Sequence, residues 1–396
     1  MIERTVAAAF LAAGLGYVTP EFSHLDPGTL VTNPVIRWSV RLAGTPPPTA
    51  TRSEPAAPVV DGQRIFVGYS GTNDLLILDR NDGQLISRME ARAPVVCAPH
   101  IDADHLIFSD SAGYTFGYRR EPNGWSPIWE HFSGAPIVAT PTVANGTVFV
   151  ANVSDTVYAL DVGTGALKWR HQHAIDVART TSLELFAAPA PAVDGDMVYA
   201  GFSDGFLVGL GRNDGTPRWQ VEVGEGTYPD LAAPALAIAG GVVVGGFSQP
   251  LLRIDPSNQA VTWRIDIGSA SPFAAVGETL FHGGADGKLR RIDARSGVVT
   301  WEWDSALGGT LGRPQPTAIG VLVPSGEGSL YLIDAENGRL EWTFSPGVLL
   351  DGIAGAPAIS GADVFVVTNG GMLYALRGGP ESAVKDTPDW VSPGFR

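Results

Sequence analysis

The feature that most constrains this chain is a short run that recurs along it. TVYALDVGTGALKW (156–169) is an apolar, β-prone stretch, an Asp/Gly turn and a second run ending in Trp. LVGLGRNDGTPRW (207–219), LLRIDPSNQAVTW (251–263), LRRIDARSGVVTW (289–301) and LYLIDAENGRLEW (330–342) repeat it, and LLILDRNDGQLIS (75–87) is a weaker copy. Each reads as strand, tight turn, strand. One such hairpin cannot bury both of its faces, whereas copies stacked side by side can.

Each copy sits in a longer unit. A small residue and Pro open it, as at Ala98-Pro99, Ala190-Pro191 and Ala356-Pro357. A β run, a turn such as Ser203-Asp204-Gly205, a second β run, the Asp/Gly turn and the Trp strand follow. The Trp positions are Trp38, Ser87, Trp129, Trp169, Trp219, Trp263, Trp301 and Trp342, spaced 38 to 50 residues apart. Four strands per unit at that period indicate a β-propeller. The last unit, after Ala356-Pro357, lacks a fourth strand, and the first strand, PVIRWSVRL (34–42), lacks a sheet. The expectation is an all-β, eight-bladed β-propeller over residues 34–377, closed by the N-terminal strand as the outer strand of the last blade, which leaves no open seam. A Trp between blades buries about 150–250 Å2, worth several kcal/mol at roughly 25 cal/mol per Å2. Ser87 breaks the pattern, so looser packing is expected at the first full blade. Asp79, Asp161, Asp255, Asp293 and Asp334 read as turn-formers.

Outside the ring, residues 1–18 read as a signal peptide or an N-terminal hydrophobic segment, with a short packed helix as the other reading. Residues 19–33 read as a linker and 378–396 as a C-terminal tail carrying Trp390 and Phe395. A net charge of −15 argues against nucleic acid and against a polybasic membrane contact. The lone cysteine, Cys97, is expected to be a small buried hydrophobe. His171 and His173 share one side of a strand, but no third metal ligand is visible, so they read as an exposed loop start. His100, His105, His131 and His282 read as surface or strand-end residues. No nucleophile–base motif is present. The expectation is therefore no catalytic residue, no metal and no cofactor.

The repeat, read as AP…DG…LYALD..TG…W, resembles the pyrroloquinoline-quinone-type propeller repeat. Two branches share it, the quinoprotein dehydrogenases and BamB, the accessory lipoprotein of the outer-membrane β-barrel assembly machinery. The dehydrogenases typically carry adjacent cysteines and a Ca2+ site of Glu, Asn and Asp; no Cys-Cys pair stands here and no acidic cluster lies outside the repeated turns. The closing strand and eight-blade count are similar to BamB. The loop TSLELFAAPAP (181–191) resembles that by which the BamB family grips its barrel-forming partner. The resemblance implies that Leu183 and Leu185 bind the partner; Phe186 stands where the family has arginine. Asp230, in TYPDLAAP (227–234), lies near the family's acidic contact residues. It further implies a non-catalytic scaffold in the periplasm, at the inner face of the outer membrane, held to a BamA-like assembly subunit. The family's anchoring cysteine is absent: Gly14 follows Leu11-Ala12-Ala13. Anchoring is then expected through the N-terminal segment or through partners. A structural subunit of another periplasmic or surface complex is the alternative, and a quinone-dependent dehydrogenase ranks third.

Overall fold

The computed structural model describes residues 34–42, 56–174, 188–226, 228–268, 273–306, 308–346 and 351–378. They form eight four-stranded antiparallel sheets and no helix. Seven sheets are consecutive in sequence. In blade 3, for example, Thr142–Ala144 is innermost, followed by Thr147–Asn152, Thr156–Asp161 and, outermost, Leu167–Gln172. The eighth sheet joins both ends of the ring: Ala358–Ser360, Asp363–Val367 and Met372–Gly378 accept Pro34–Arg41 as their outer strand. The pairing runs from Pro34 opposite Gly378 to Arg41 opposite Met372. Eight blades and an N-terminal closing strand are as the repeat predicts.

The middle strands are apolar throughout because neighbouring blades cover both of their faces. Thr147–Asn152 is buried at every position, whereas Leu167–Gln172 alternates in and out. The core is accordingly a series of clusters lying between successive blades. One joins Phe149 and Trp169 of blade 3 to Val198 and Val208 of blade 4.

The Trp repeat supplies a second, polar link across five of the seams. The indole N–H of Trp129 donates to the carbonyl of Val162 in the next blade at 2.8 Å, and Trp169 donates to Arg212 at 2.7 Å. Trp263 reaches Ala294 at 3.0 Å and Trp301 reaches Ala335 at 3.1 Å. Trp38 makes the same bond to Arg80 at 3.2 Å, so the closing seam uses the joint found inside the ring. Each acceptor directly follows the third strand of the next blade. The glycine of that turn has a positive φ, 68° at Gly165 and 73° at Gly297. A Cβ there would come within 2.6 Å of the preceding blade's indole, Trp129 and Trp263 respectively. The turn thus needs glycine for both its backbone and its neighbour. Blade 5 has Gln259 at this position, at φ 61°. The Asp before each turn caps it, as Asp161 does by accepting from the N–H of Gly163 and Thr164.

Every outer strand also carries a bulge immediately before the Trp position. In blade 3, Trp169 opposes Ala159 and Leu167 opposes Leu160, leaving Lys168 unpaired; Arg37, Ile86 and Ile128 are skipped in the same way. A bulge sharpens local twist and blunts an exposed sheet edge.

At the seam of Ser87, where the sequence predicts looser packing, an aromatic from the other blade takes part. Blade 2 has an extended outer hairpin, Tyr114–Glu121 with Gly124–Phe132, and its Trp125 packs back onto Phe66 of blade 1, edge to face at 6.3 Å. Arg120 lies over that indole at 4.2 Å and pairs with Asp61 of blade 1 at 2.6 Å. The indole arrives from the other side of the seam.

Candidate partner-binding face

The connections between blades and the hairpins joining second and third strands lie on one face of the ring, where the stem leading into the first predicted loop and the second predicted loop meet a single turn of blade 4. Leu183, Leu185 and Phe186 lie outside the described residues, but both stems of their segment are fixed. On the entry side, His173 Nε2 sits 2.9 Å from Asp204 Oδ2, and its ring stacks on Phe202 at 4.3 Å and 10°. The His173 backbone N–H donates to Asp155 O. Asp155 in turn accepts from Ser203, through Oγ at 2.6 Å and N–H at 3.0 Å. Burial pushes the Asp155 carboxyl up from its ordinary value. On the exit side Ala188 is buried, and Thr142 Oγ1 donates to Pro191 O at 2.8 Å.

This corrects the reading of His173 as exposed: its side chain is buried and its partner is Asp204. The partner of His171 is likewise not His173, since His171 Nε2 is buried without a hydrogen bond. No three His, Cys, Asp or Glu side chains among the described residues are placed to hold a metal. His282 is also buried rather than superficial, stacked on Phe273 at 5.5 Å. Burial lowers its pKa to about 4. Cys97 is a buried thiol whose pKa burial raises to about 12.

The second loop docks on the same turn. Leu231 N–H donates to Phe202 O and Gly224 N–H to Gly205 O. Asp230 is only 5% exposed, so its carboxylate is largely covered by the protein itself. Gln249, buried in the next blade, clamps the loop through Glu225 and Tyr228: its Nε2 donates to their carbonyls at 2.8 and 2.5 Å, and its Oε1 accepts from Glu225 N–H. Arg264 ties this rim to blade 5 by pairing with Glu225 at 2.8 Å and Asp266 at 2.7 Å.

Two exposed aromatics, Tyr228 at 39% and Phe247 at 52%, stand on these clamped loops, and Ser248 Oγ donates to Tyr228 O between them. Sequence reading passed over both. A Phe inside the glycine turn Gly245-Gly246-Phe247 was the signal available for the second. Rigid backbone presenting exposed rings is the chemistry of a protein-binding surface.

A family model described as "Outer membrane protein assembly factor BamB" matches residues 123–302 and 285–379. The chain belongs to the BamB family. Outer membrane protein assembly factor BamB of Burkholderia pseudomallei is 26% identical over 333 residues, covering 81% of this chain and 84% of the relative. The crystal structure of BamB from Moraxella catarrhalis superposes with a TM-score of 0.68 at 14% identity, over 87% of this chain and 99% of that one. Quinohemoprotein alcohol dehydrogenase from Comamonas testosteroni shares the fold, with a TM-score of 0.67 at 13% identity, over 93% of this chain and 80% of that one. Fold likeness alone therefore does not separate the two branches; the family match does.

Proposed function

We propose that this BamB-family propeller is a non-catalytic scaffold of outer-membrane protein assembly. It works in the periplasm, at the inner face of the outer membrane, and holds a BamA-like subunit through the 181–191 loop and its neighbour. The observation that carries the reading is that the strand end leading into the first segment, at His173, and the 228–234 loop both dock on the Phe202–Phe206 turn, with Tyr228 and Phe247 exposed beside it. A ring closed by its own first strand gives these loops a rigid base, which lowers the ordering cost of binding. Leu183, Leu185 and Phe186 supply the apolar contact, and Asp230 shapes its loop from beneath rather than reaching outward.

The test is capture of the chain by immobilised periplasmic domains of the barrel-assembly subunit. The parent binds; Leu183→Glu combined with Leu185→Glu abolishes capture while melting as the parent does. A double variant that binds as well as the parent defeats the loop assignment. Turnover of alcohols with added pyrroloquinoline quinone and Ca2+ would defeat the scaffold reading as a whole.

A further inference from the structure

A groove of about 440 Å3 lies on the outer rim where blades 1 and 2 meet, far along the ring from blades 4 and 5. Its floor is aromatic: Phe116 and Tyr118 from the third strand of blade 2, with Pro127 and Ile128 of the outer strand beside them. Its mouth carries Glu90 and Glu130, both exposed, with Arg92 beside them. This is the seam whose Trp position is Ser87, so no indole from the blade 1 outer strand covers that floor.

The charges are unequal. Arg92 pairs with Glu130 at 3.2 Å and is itself largely exposed, whereas Glu90 makes no ion pair among the described residues. Burial first, then the fields of Glu90 and Glu130, raises the Tyr118 hydroxyl above its ordinary pKa, so both carboxylates act on the same phenol. The groove is bordered by the longest outer strand, nine residues from Gly124 to Phe132. Ser133 N–H donates to Gly113 O, and His131 opposes Thr115. By the alternation of an antiparallel ladder, the backbone groups of Glu130 and Phe132 then point outward, unused.

We propose that this seam is a second protein-binding site, which takes a basic residue from an extended segment of a partner protein. The cationic head sits between Glu90 and Glu130, the aliphatic stem lies over Phe116 and Tyr118, and the segment's backbone pairs with the free edge at Glu130 and Phe132. Arginine suits all three parts: it stacks on aromatic faces, pairs with carboxylates and carries an apolar stem. Edge addition with side-chain pockets is an established way of reading an extended peptide.

The experiment titrates the full chain against a fluorescein-tagged octapeptide of alternating threonine and valine with one central arginine, read by anisotropy. The expected result is saturable binding. Glu90→Gln with Glu130→Gln should weaken it about fivefold or more, the scale of one lost exposed charge contact. Leu183→Glu with Leu185→Glu should leave it unchanged, which separates this site from the loop face. The proposal is overturned if the peptide does not saturate, if a norleucine-centred control binds equally well, or if free argininamide competes as strongly as the untagged octapeptide, which would reduce the groove to a small-cation pocket.

Discussion

The Arg37 guanidinium lies 2.7 Å from the Asp363 carboxylate, across 326 positions of sequence. Arg377 holds the other carboxylate oxygen at 2.7 Å, and Asp363 is almost wholly buried beneath the two. One acid thus ties the closing strand and its neighbour to the second strand of blade 8. Replacing it by Asp363→Asn keeps the shape and removes the charge. We expect a loss of about 1.5–3 kcal/mol, the worth of hydrogen bonds to an ionised group. Urea unfolding gives the magnitude, and amide exchange over 372–378 should quicken first. An unmoved midpoint would refute the role of this acid in closure.

The turn glycines make opposite predictions at two sites. Gly165→Ala places a Cβ at φ 68° and within 2.6 Å of the Trp129 ring. It should cost about 2–3 kcal/mol from left-handed strain and displaced packing. Gln259→Gly relieves the same backbone strain and should raise stability by about 0.5–1 kcal/mol. Paired denaturant curves decide both; equal effects of the same sign would contradict the argument.

Trp125→Ala should open the first seam. The half-buried indole packs on Phe66 and carries Arg120, so a loss of about 2–4 kcal/mol is expected, below or near that of a core Trp. Thermal melting and exchange in Arg64–Gly68 report it. A change under 0.5 kcal/mol would show that the seam does not depend on this ring.

Acid should weaken the fold through His282. Its pKa falls from 6.5 to about 4 on folding, chiefly by burial. Between those values the unfolded chain binds a proton that the folded chain refuses. The stabilisation is therefore full above pH 6.5 and drains away as pH falls toward 4, by on the order of 3 kcal/mol in all. His131 and His171, also lowered by burial, act in the same direction; Asp155, whose carboxyl is raised, partly opposes them. His282→Phe should flatten the pH dependence of the urea midpoint. An unchanged slope would place the sensitivity elsewhere.

Tyr228→Ser with Phe247→Ser should weaken capture by the barrel-assembly subunit about tenfold, a typical cost for a pair of interface aromatics. Because both rings are exposed, stability should stay within ~0.5 kcal/mol. Capture at parental strength would remove these rings from the interface.

The ring was legible in sequence because its determinants are local and repeated. A turn needs its Asp and Gly at a fixed spacing from a Trp, and the repeat leaves one spare strand at its start and one missing at its end. What escaped was non-local. Nothing in the string around Ser87 says that Trp125 packs into the seam from the opposite blade, because that contact depends on a hairpin whose strands are two to three residues longer than those of blade 3. His173 and His282 looked superficial because burial there comes from neighbouring blades, not from the residues beside them. Asp230 was read by loop position alone, and position does not reveal that its loop folds inward over blade 4. Tyr228 and Phe247 gave no periodic signal at all.

Because Pro34–Arg41 mates with Met372–Gly378, the ring's first strand must wait for its last. A polypeptide halted between Ser360 and Met372 would hold seven finished sheets, an incomplete eighth and an orphaned closing strand. The join doubles as a completeness check, distinguishing a closed ring from an open one.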